Sequence, residues 1–527
     1  MLSKLSLYFH TLRYLKLKQF KYRIYYFIRN KFRSLTSFSY GNIPLSKSPQ
    51  NLSLEPSIKA VDSVKYRDNS FSFLNLEKTF ENKIDWNDST HGKLWTYNLN
   101  YFEFLHTSNI SKEEGLRLIN DFINQIDKSK DGLEPYPISL RAIHWIKFLT
   151  YHKIAEDTIA QSLYNQLWIL IDKREYHILG NHLLENGFGL LFGAYYFNDK
   201  QIYEIAKEIL VEELKEQILA DGAHFELSPM YHQLMLYRVL DCYNLVKNNS
   251  QFDQELLSFF KEKAQIMLGW LEQITFQNGD IPLLNDSASN INPTTKELVI
   301  YVQQLGIQSK KILLKESGYR KVSNSNYECV IDVGHIAPDY IPGHAHSDTF
   351  NFVLYVKTKP FIVDTGISTY NITERRQFER STAAHNTVQV EEYEQSEIWG
   401  GFRVGRRAIP QIISERDNEI EATLKHSTCN FIHARKYNFF ENRIRIQDKI
   451  TPRNQAQAYL HFHPSINVLL ISENTIQTNI GKIEIKGADT IKLEDYQYAP
   501  EFNLLIRSKK AVIFFTENIE INIMLTK

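Results

Sequence analysis

The sequence predicts a multidomain protein in which an all-α domain is followed by an all-β domain. Apolar residues repeat with the 3.6-residue period of a helix through roughly the first 315 residues. Near Gly318 this pattern gives way to the two-residue alternation that is typical of strands. The chain has 527 residues, 43% of them hydrophobic and 23% charged, which excludes bulk disorder and favours folded globular domains.

The helical region is expected to consist of stacked antiparallel helix pairs. Ser111 and Glu114 form the sequence signature of a capping box, which predicts the start of a helix. Apolar stripes then recur about every 35 to 40 residues, as they do in paired helices. The clearest stripes are Leu163/Leu167/Leu170, Ile202/Ile205/Ile209, Leu236/Val239/Leu240/Tyr243 and Phe260/Ala264/Met267/Leu271.

The region after Gly318 is expected to form an antiparallel sandwich or barrel, because strand-like runs follow one another without helical segments between them. Phe350, Phe352, Leu354 and Val356 lie on one face of such a strand. Further strand-like runs are Arg443–Gln447, Ala458–His463, Lys482–Lys486 and Ala511–Thr516. The predicted divisions are an N-terminal arm (1–54), a helical domain (55–317) and a β domain (318–527).

The N-terminal arm is basic and aromatic. Ten Lys or Arg residues and no acidic residue precede Glu55, whereas the remainder has 51 basic and 61 acidic residues. Two interpretations follow: a partly helical segment that docks on the rest of the chain, or a segment that contacts an anionic membrane surface or polymer. The remainder shows no basic cluster, so a nucleic-acid partner is not expected. Basic residues also interrupt every apolar run of a candidate signal peptide.

One polar motif in the β region, Gly343–Asp348, is rich in residues that carry chemistry. His344 and His346 stand two positions apart in an extended segment, so both side chains point to the same side. Asp364 ends an apolar run, where a buried carboxylate needs a cation or several donors. With the histidine of the Arg380–Thr387 run, these residue types suit a zinc site, although scattered residues of these types are more often structural. The three cysteines are isolated and form no disulfide framework.

Two polar islands interrupt the helical pattern, at Gly180–Gly187 and Asp221–His232. In the second island Ser228 can cap a helix and Pro229 suits its first turn, which places Tyr231 at the start of that helix. Both islands can be simple helix caps or parts of a site. Residues that suit stacking on or pairing with a sugar, or packing in a core, are Trp95, Tyr97, Arg141 and Trp145.

Together these motifs resemble the heparinase II/III-like polysaccharide lyases, including the related alginate lyases, over about Trp95 to Gly405. The resemblance implies an incomplete (α/α) toroid followed by an antiparallel β-sandwich. It also implies cleavage of a uronate-containing anionic polysaccharide by β-elimination. The motifs that carry it, in the family's order, are GNHLLENG (180–187), HFELSPMYH (224–232), GHAHSD (343–348), FIVDTG (361–366) and RSTAAHNT (380–387).

The resemblance also implies catalytic roles. Asn181, with His182 beside it, would hold the uronate carboxylate. Tyr231 would be the general acid, and also the base when the proton and leaving group share a face. His344 would be the base for the opposite face, or would assist Tyr231. Tyr231 can act as a base only if positive charge lowers its pKa; Arg380, His232 and a metal are the candidates for that charge.

Further residues follow from the same resemblance. The expected metal ligands are His346, Asp364 and His385, holding one zinc ion with a mainly structural role, and Glu185 and Asn386 are supporting candidates. The expected substrate-binding residues are Trp95, Tyr97, Arg141, Trp145, His232 and Arg380.

Two other functions stay open at this stage. A glycoside hydrolase on a helical toroid would need two carboxylates, for which Asp221 and Glu226 are the obvious pair. A non-catalytic polysaccharide-binding protein would need Trp95, Arg141 and Trp145 but neither Tyr231 nor His344. The expected process is that of a bacterial exopolysaccharide or capsule, in the cell envelope or periplasm by resemblance and in the cytoplasm as the alternative. The sequence leaves open which polymer is cleaved and which oligomer forms.

Overall fold

The computed structural model describes residues 2–45 and 48–526. The N-terminal arm forms helices α1 (Leu2–Leu12) and α2 (Leu17–Leu35). Within the described residues, we find no helix whose length and apolar content would let it cross a membrane.

A small antiparallel sheet follows the arm, with strands β1 (Lys65–Arg67), β2 (Ser70–Phe73) and β3 (Leu76–Thr79). The prediction of a purely helical domain over 55–317 is therefore wrong at this point. Strands of three or four residues are too short to show a period, so the sequence pattern could not reveal them. The sheet is held by aromatic packing, with the Phe73 ring edge-on to Trp95 at 5.3 Å.

The helical domain agrees with the predicted periodicity. Every stripe named above lies inside one helix, and Ser111 accepts a hydrogen bond from the backbone of Glu114 at the start of its helix. The helices are α3 (Lys93–Tyr101), α4 (Lys112–Ile123), α5 (Pro135–His152), α6 (Asp157–Lys173), α7 (Gly180–Phe197), α8 (Lys200–Gln217), α9 (Pro229–Asn248), α10 (Glu255–Ile274) and α11 (Thr295–Gln304). The helices from α5 to α8 pack on their neighbours in the chain, as do those from α9 to α11, and α5 also packs on α7.

The β domain begins at Tyr319, close to the predicted change of pattern. A first sheet contains β4 (Tyr319–Ser323), β5 (Tyr327–Asp332), β6 (Phe352–Val356) and β7 (Lys359–Ile362), in that order. Short helix α12 (Glu374–Glu379) then precedes β8 (Val388–Val390), β9 (Ile398–Trp399) and β10 (Arg403–Val404). The remaining strands are β11 (Ile409–Arg416), β12 (Glu419–Lys425), β13 (Ile432–Phe440), β14 (Arg443–Thr451), β15 (Gln455–His461), β16 (Val468–Ser472), β17 (Thr475–Thr478), β18 (Gly481–Glu501) and β19 (Leu504–Leu525).

The second, larger sheet has the order β11-β12-β13-β14-β19-β18-β17-β16. Strand β15 pairs with β19, and β8 pairs with β15.

The sheet β4–β7 is a middle layer that joins the two domains. Val330 and Val353 belong to the apolar core of the helices. Their neighbours Ile331 and Phe352 belong to the core shared with the larger sheet. Because side chains alternate between faces along a strand, one sheet supplies both cores, and its loops are fixed against the helical domain.

Candidate active site

Two helix N-termini and one loop of the β domain come together at one site, the cleft, which is formed by Asn181, His182, Tyr231 and His344. Asn181 and His182 lie in the first turn of α7, and Tyr231 lies in the first turn of α9. His344, from the loop before β6, stacks on the Tyr231 ring with the ring centres 4.0 Å apart. The cleft therefore contains all four predicted catalytic residues.

The start of α9 is connected to the β domain by hydrogen bonds that run through Asp286. Ser228 caps the helix by accepting a hydrogen bond from the backbone of Tyr231 at 3.3 Å, and its hydroxyl donates to the Asp286 carbonyl at 2.8 Å. The backbone of Asp286 in turn donates to the His344 carbonyl at 3.1 Å. Tyr231 and His344 are thus positioned by the same short segment around Asp286.

Backbone strain accompanies this positioning. The residues that precede the two helices, Leu179 and Leu227, have φ angles of 67° and 54°, in the left-handed region that side chains disfavour. The Leu227 carbonyl is held in place by Asn285 Nδ2 at 3.1 Å and the Tyr319 hydroxyl at 2.5 Å. Such strain costs on the order of 1–3 kcal/mol and clusters at functional sites.

The carboxylate of Asp286 is the hub of the site. It accepts two hydrogen bonds from the Arg376 guanidinium, at 2.5 and 2.6 Å, and one each from His344 Nδ1 at 2.9 Å and His346 Nε2 at 2.8 Å. Burial alone would raise the pKa of Asp286, but Arg376 and the two histidines outweigh burial and hold that pKa well below its usual value. Asp286 is therefore a charged, fully engaged carboxylate.

This hub determines which nitrogen of His344 can act. A carboxylate only accepts hydrogen bonds, so Nδ1 of His344 donates to Asp286, and Nε2 is the nitrogen that remains available to exchange a proton. Nε2 lies 3.7 Å from the Glu226 carboxylate, and the side chain is 12% exposed. His344 is thus oriented as a base, in the way a carboxylate orients the histidine of a catalytic triad.

Tyr231 has the opposite character. Its hydroxyl lies 3.3 Å from the hydroxyl of Tyr370. Burial, together with the charges of Glu226 and Asp286, raises the pKa of Tyr231 well above its usual value, although the Tyr370 hydrogen bond and Arg376 act against this. The phenol is protonated at neutral pH and suits an acid better than a base.

Asn181 and His182 are each held by a carboxylate. Asn181 Nδ2 donates to Glu226 Oε2 at 2.7 Å. The half-buried His182 lies with Nδ1 2.9 Å from Glu175 Oε1. Burial alone would lower the pKa of His182, but the Glu175 carboxylate outweighs it and raises that pKa, which favours a positive imidazolium in the cleft.

The predicted metal residues lie together in the β domain. His385 Nδ1 lies 2.7 Å from Asp364, and the rings of His346 and His385 are 5.3 Å apart. Nδ1 of His346 and Nε2 of His385 are buried without a hydrogen-bond partner, as is one oxygen of Asp348. Residues 2–45 and 48–526 contain no preformed set of three His, Cys, Asp or Glu side chains that could hold a metal ion.

Their pairing nevertheless has the form of metal-ligand histidines. Each ring donates one N–H to a carboxylate, His346 to Asp286 and His385 to Asp364, and keeps the other nitrogen free. Metal-binding histidines are usually oriented in this way. The residues present therefore fit two nitrogen ligands, with Asp364 placed to orient His385.

The predicted substrate contacts of Trp95, Arg141 and Trp145 are wrong, because all three side chains are fully buried in the helical core. Trp95 donates from Nε1 to the Leu76 carbonyl at 3.1 Å. The Arg141 guanidinium donates hydrogen bonds to Gln166 and to two backbone carbonyls. Sequence spacing marked these residues as polar or aromatic but could not show which way they face.

Two of the three expected sources of positive charge near Tyr231, His232 and Arg380, are wrong as well. His232 is buried, and burial lowers its pKa to about 3, so its ring is neutral. Arg380 is buried and donates to the Ala345 carbonyl at 2.9 Å, so it positions the His344 loop and does not face the cleft. Tyr97, by contrast, is half-buried, with its hydroxyl bonded to Glu134.

The supporting candidates are also accounted for. Glu185 is buried against Arg238, with Nε 3.2 Å from Oε1. Asn386 donates to the carbonyls of Phe352 and Val363, both at 2.9 Å, so it joins two strand ends and does not reach the cleft.

Sequence reasoning missed Asp286, Arg376 and Tyr370. Arg376 lies one helical turn before Arg380, on α12, so the arginine motif was located but the wrong arginine was selected. Asp286 follows an apolar run in the same manner as Asp364, which is the signal that could have identified it.

We expect Arg376→Met to destabilise the protein by about 3–5 kcal/mol, because it leaves the Asp286 charge buried without its main partner. Denaturant unfolding measures this change. The matched control is Arg453→Met, since the Arg453 side chain is 73% exposed and should change the unfolding free energy by about 0.5 kcal/mol or less. Equal effects of the two substitutions would contradict the assigned role of the ion pair.

The family model described as heparinase II/III N-terminus matches residues 138–305, and the model described as heparinase II/III-like, C-terminal, matches residues 308–522. Together the two models cover most of the chain, and the boundary between them lies within the connection from α11 to β4.

Relatives agree with this assignment. A heparin-sulfate lyase from Pedobacter heparinus is 24% identical over 242 residues, which cover 40% of this chain and only 36% of that protein. The solved structure of a heparinase III has a TM-score of 0.71 at 15% identity and covers 96% of this chain and 90% of its own. A heparan sulfate lyase from Pedobacter heparinus has a TM-score of 0.53 at 16% identity, covering 87% and 81%. These structures share the fold, an incomplete (α/α) toroid followed by an antiparallel β-sandwich, and with both family models matched the chain belongs to the heparinase II/III-like family.

Proposed function

We propose that this chain is a polysaccharide lyase that cleaves a uronate-containing anionic polysaccharide by β-elimination. The observation that carries the proposal is the contact of the His344 and Tyr231 rings, which places Nε2 of an imidazole held at Nδ1 by Asp286 beside a protonated phenol. β-Elimination needs a base and an acid at neighbouring positions of one sugar unit. Membership of the heparinase II/III-like family supports the same reaction.

The chemical steps follow from these two groups. Nε2 of His344 takes the proton from C5 of the uronate, and the electron pair forms the C4–C5 double bond as the C4–O4 bond breaks. The Tyr231 hydroxyl gives its proton to the departing oxygen. Because burial keeps the Tyr231 pKa high, the division of labour with His344 as base is favoured over Tyr231 in both roles.

The cleft also suits a negative charge on the substrate. The C5 proton becomes acidic only when the attached carboxylate is neutralised, and the charge then spreads into the enolate. His182, whose pKa the Glu175 carboxylate raises against the effect of burial, is in the cleft, and the N-termini of α7 and α9 add the positive ends of two helix dipoles. Asn181 can support the carboxylate when substrate displaces its bond to Glu226.

Glycoside hydrolysis is the weaker alternative. Of the two carboxylates that it would use, only Glu226 lies in the cleft. Asp221 accepts hydrogen bonds from the backbones of Lys315 and Ser317, at 3.0 and 2.9 Å, and so fixes a loop away from the cleft. A silent binding protein would not need His344 to be oriented by Asp286.

We also propose that His346 and His385 hold one zinc ion, with Asp364 orienting His385. Bound there, the metal would supply a structural cross-link between the His344 loop and the segment after α12. The proposed process remains that of a bacterial exopolysaccharide or capsule, for which the basic, aromatic arm suits a cell-surface setting.

Tyr231→Phe should reduce turnover by about 10²–10⁴-fold while substrate binding is retained, because only the proton donor is removed. The assay is the ultraviolet absorbance of the unsaturated uronate product across a panel of uronate polymers. Tyr243→Phe, on the same helix but in the apolar core, is the control and should keep wild-type turnover. A Tyr231→Phe enzyme within threefold of wild type would rule out the acid role, and products without ultraviolet absorbance would rule out elimination.

Asn181→Ala should reduce kcat more than it weakens binding, because its interaction with the carboxylate grows as the enolate forms. Steady-state kinetics on the polymer identified in the panel would separate kcat from KM. Glu226→Gln keeps a group that can bond to Asn181 and is expected to lose less. A proportional loss of affinity for a neutral glycan would instead indicate a folding defect.

His346→Ala should lower both metal content and melting temperature, because a ligand that binds only the native state stabilises it by mass action. Elemental analysis and thermal unfolding, with and without chelator, measure the two effects. His426→Ala removes another buried histidine of the β domain and should leave the metal content unchanged. If the purified protein holds no stoichiometric metal, the zinc proposal is wrong.

A further inference from the structure

The outer face of the N-terminal arm is strongly apolar. On α1, Leu5 and Phe9 are 62% and 64% exposed. On α2, the exposed apolar side chains recur at helical spacing and form one stripe along a helix of 19 residues, about 28 Å long. The α2 stripe is Leu17, Phe20, Ile24, Phe27, Ile28 and Leu35, and Leu17 reaches 86% exposure. Contiguous exposed patches of this kind mark interaction surfaces.

The arm cannot bury this stripe against its own chain, because its other face is already docked. Gln19 donates to the Ile178 carbonyl at 2.9 Å, and Arg33 pairs with Asp172 at 2.5 Å. On α1, the Thr11 hydroxyl accepts a hydrogen bond from Trp399 Nε1 at 3.1 Å. The polar side of the arm therefore spans the helical and β domains, and the apolar side points away from both.

The charge around the stripe indicates what covers it. Lys4, Arg13, Lys21 and Lys31 are exposed on the arm, and no acidic residue occurs before Glu55. A second copy of the chain would bring two such basic faces together, which like-charge repulsion opposes. Lys21 and Lys31 stand three or four positions from members of the stripe, so they lie on the same face of α2 as the apolar side chains. A surface helix whose exposed apolar face also carries Lys matches the interface of an anionic bilayer, where long basic side chains reach the headgroups.

We propose that α1 and α2 form an interfacial anchor that inserts its apolar stripe among anionic lipid headgroups. The anchor also determines where the cleft lies relative to the bilayer. The inner side of α2 binds the loop between α6 and α7 through Tyr26, whose hydroxyl donates to the Arg174 carbonyl at 2.5 Å. That loop carries Glu175, the partner of His182, so a bilayer under the arm lies beside the cleft. The anchor does not depend on the proposed lyase activity.

Co-sedimentation of the full-length protein with vesicles tests the proposal. We expect binding to vesicles of phosphatidylcholine with phosphatidylglycerol, weaker binding to phosphatidylcholine alone, and weakening with salt because exposed charges are screened. Ile24→Ser/Phe27→Ser should abolish binding, and Lys21→Glu/Lys31→Glu should weaken it at least roughly thirtyfold. The control Leu313→Ser/Leu469→Ser alters side chains that are 78% and 64% exposed elsewhere and should bind like wild type.

Circular dichroism and melting temperature check that each variant is folded, which exposed positions should permit. The proposal is overturned if the wild type does not sediment with anionic vesicles, or if the Ile24/Phe27 variant binds as well as the control. It is also overturned if light scattering shows a wild-type dimer that the Ile24/Phe27 substitutions dissociate, since the stripe is then covered by a second copy.

Discussion

A single buried charge, the carboxylate of Asp286, organises the cleft between the two domains. Its two oxygens accept hydrogen bonds from Arg376, His344 and His346. Its backbone carbonyl accepts a hydrogen bond from the hydroxyl of Ser228, which caps α9. A buried carboxylate is tolerated only when its lone pairs are satisfied, so each of these partners is constrained by the others. The position of Tyr231 on a helix of one domain is therefore coupled to the orientation of His344 in the other.

The sequence predicted most of the fold because both domains are amphipathic along long elements. Strands such as β14 alternate between buried and exposed residues, and the helix stripes repeat over several turns, so each pattern has enough periods to be recognised. The small sheet β1–β3 could not be predicted, because its strands are too short to show a period. The role of β4–β7 as a layer between two cores also escaped, since both faces of β5 and β6 are buried and sequence alone does not show what covers each face.

The site was predictable to the extent that its residues stand in local motifs. Asn181, His182, Tyr231 and His344 stand in polar segments that interrupt apolar patterns, and the resemblance of these segments to family motifs implies their catalytic roles. Asp286 and Arg376 are 90 positions apart, and their pairing exists only in the folded chain. The errors at Arg141, His232 and Arg380 share one cause, because a sequence shows that a residue is basic but not that it is buried. Arg141 and Arg380 are buried and donate to backbone carbonyls, and the buried His232 is neutral.

The same environment gives the two reacting groups opposite roles. Burial raises the pKa of Tyr231 and keeps its proton in place, whereas Asp286 holds the hydrogen of His344 on Nδ1 and leaves Nε2 free to accept one. No cation is needed to ionise the phenol under this division, which explains why the buried Arg380 and the neutral His232 are compatible with acid–base chemistry. The positive charge of the cleft is instead left to His182 and the helix N-termini, where it can meet the carboxylate of an anionic sugar.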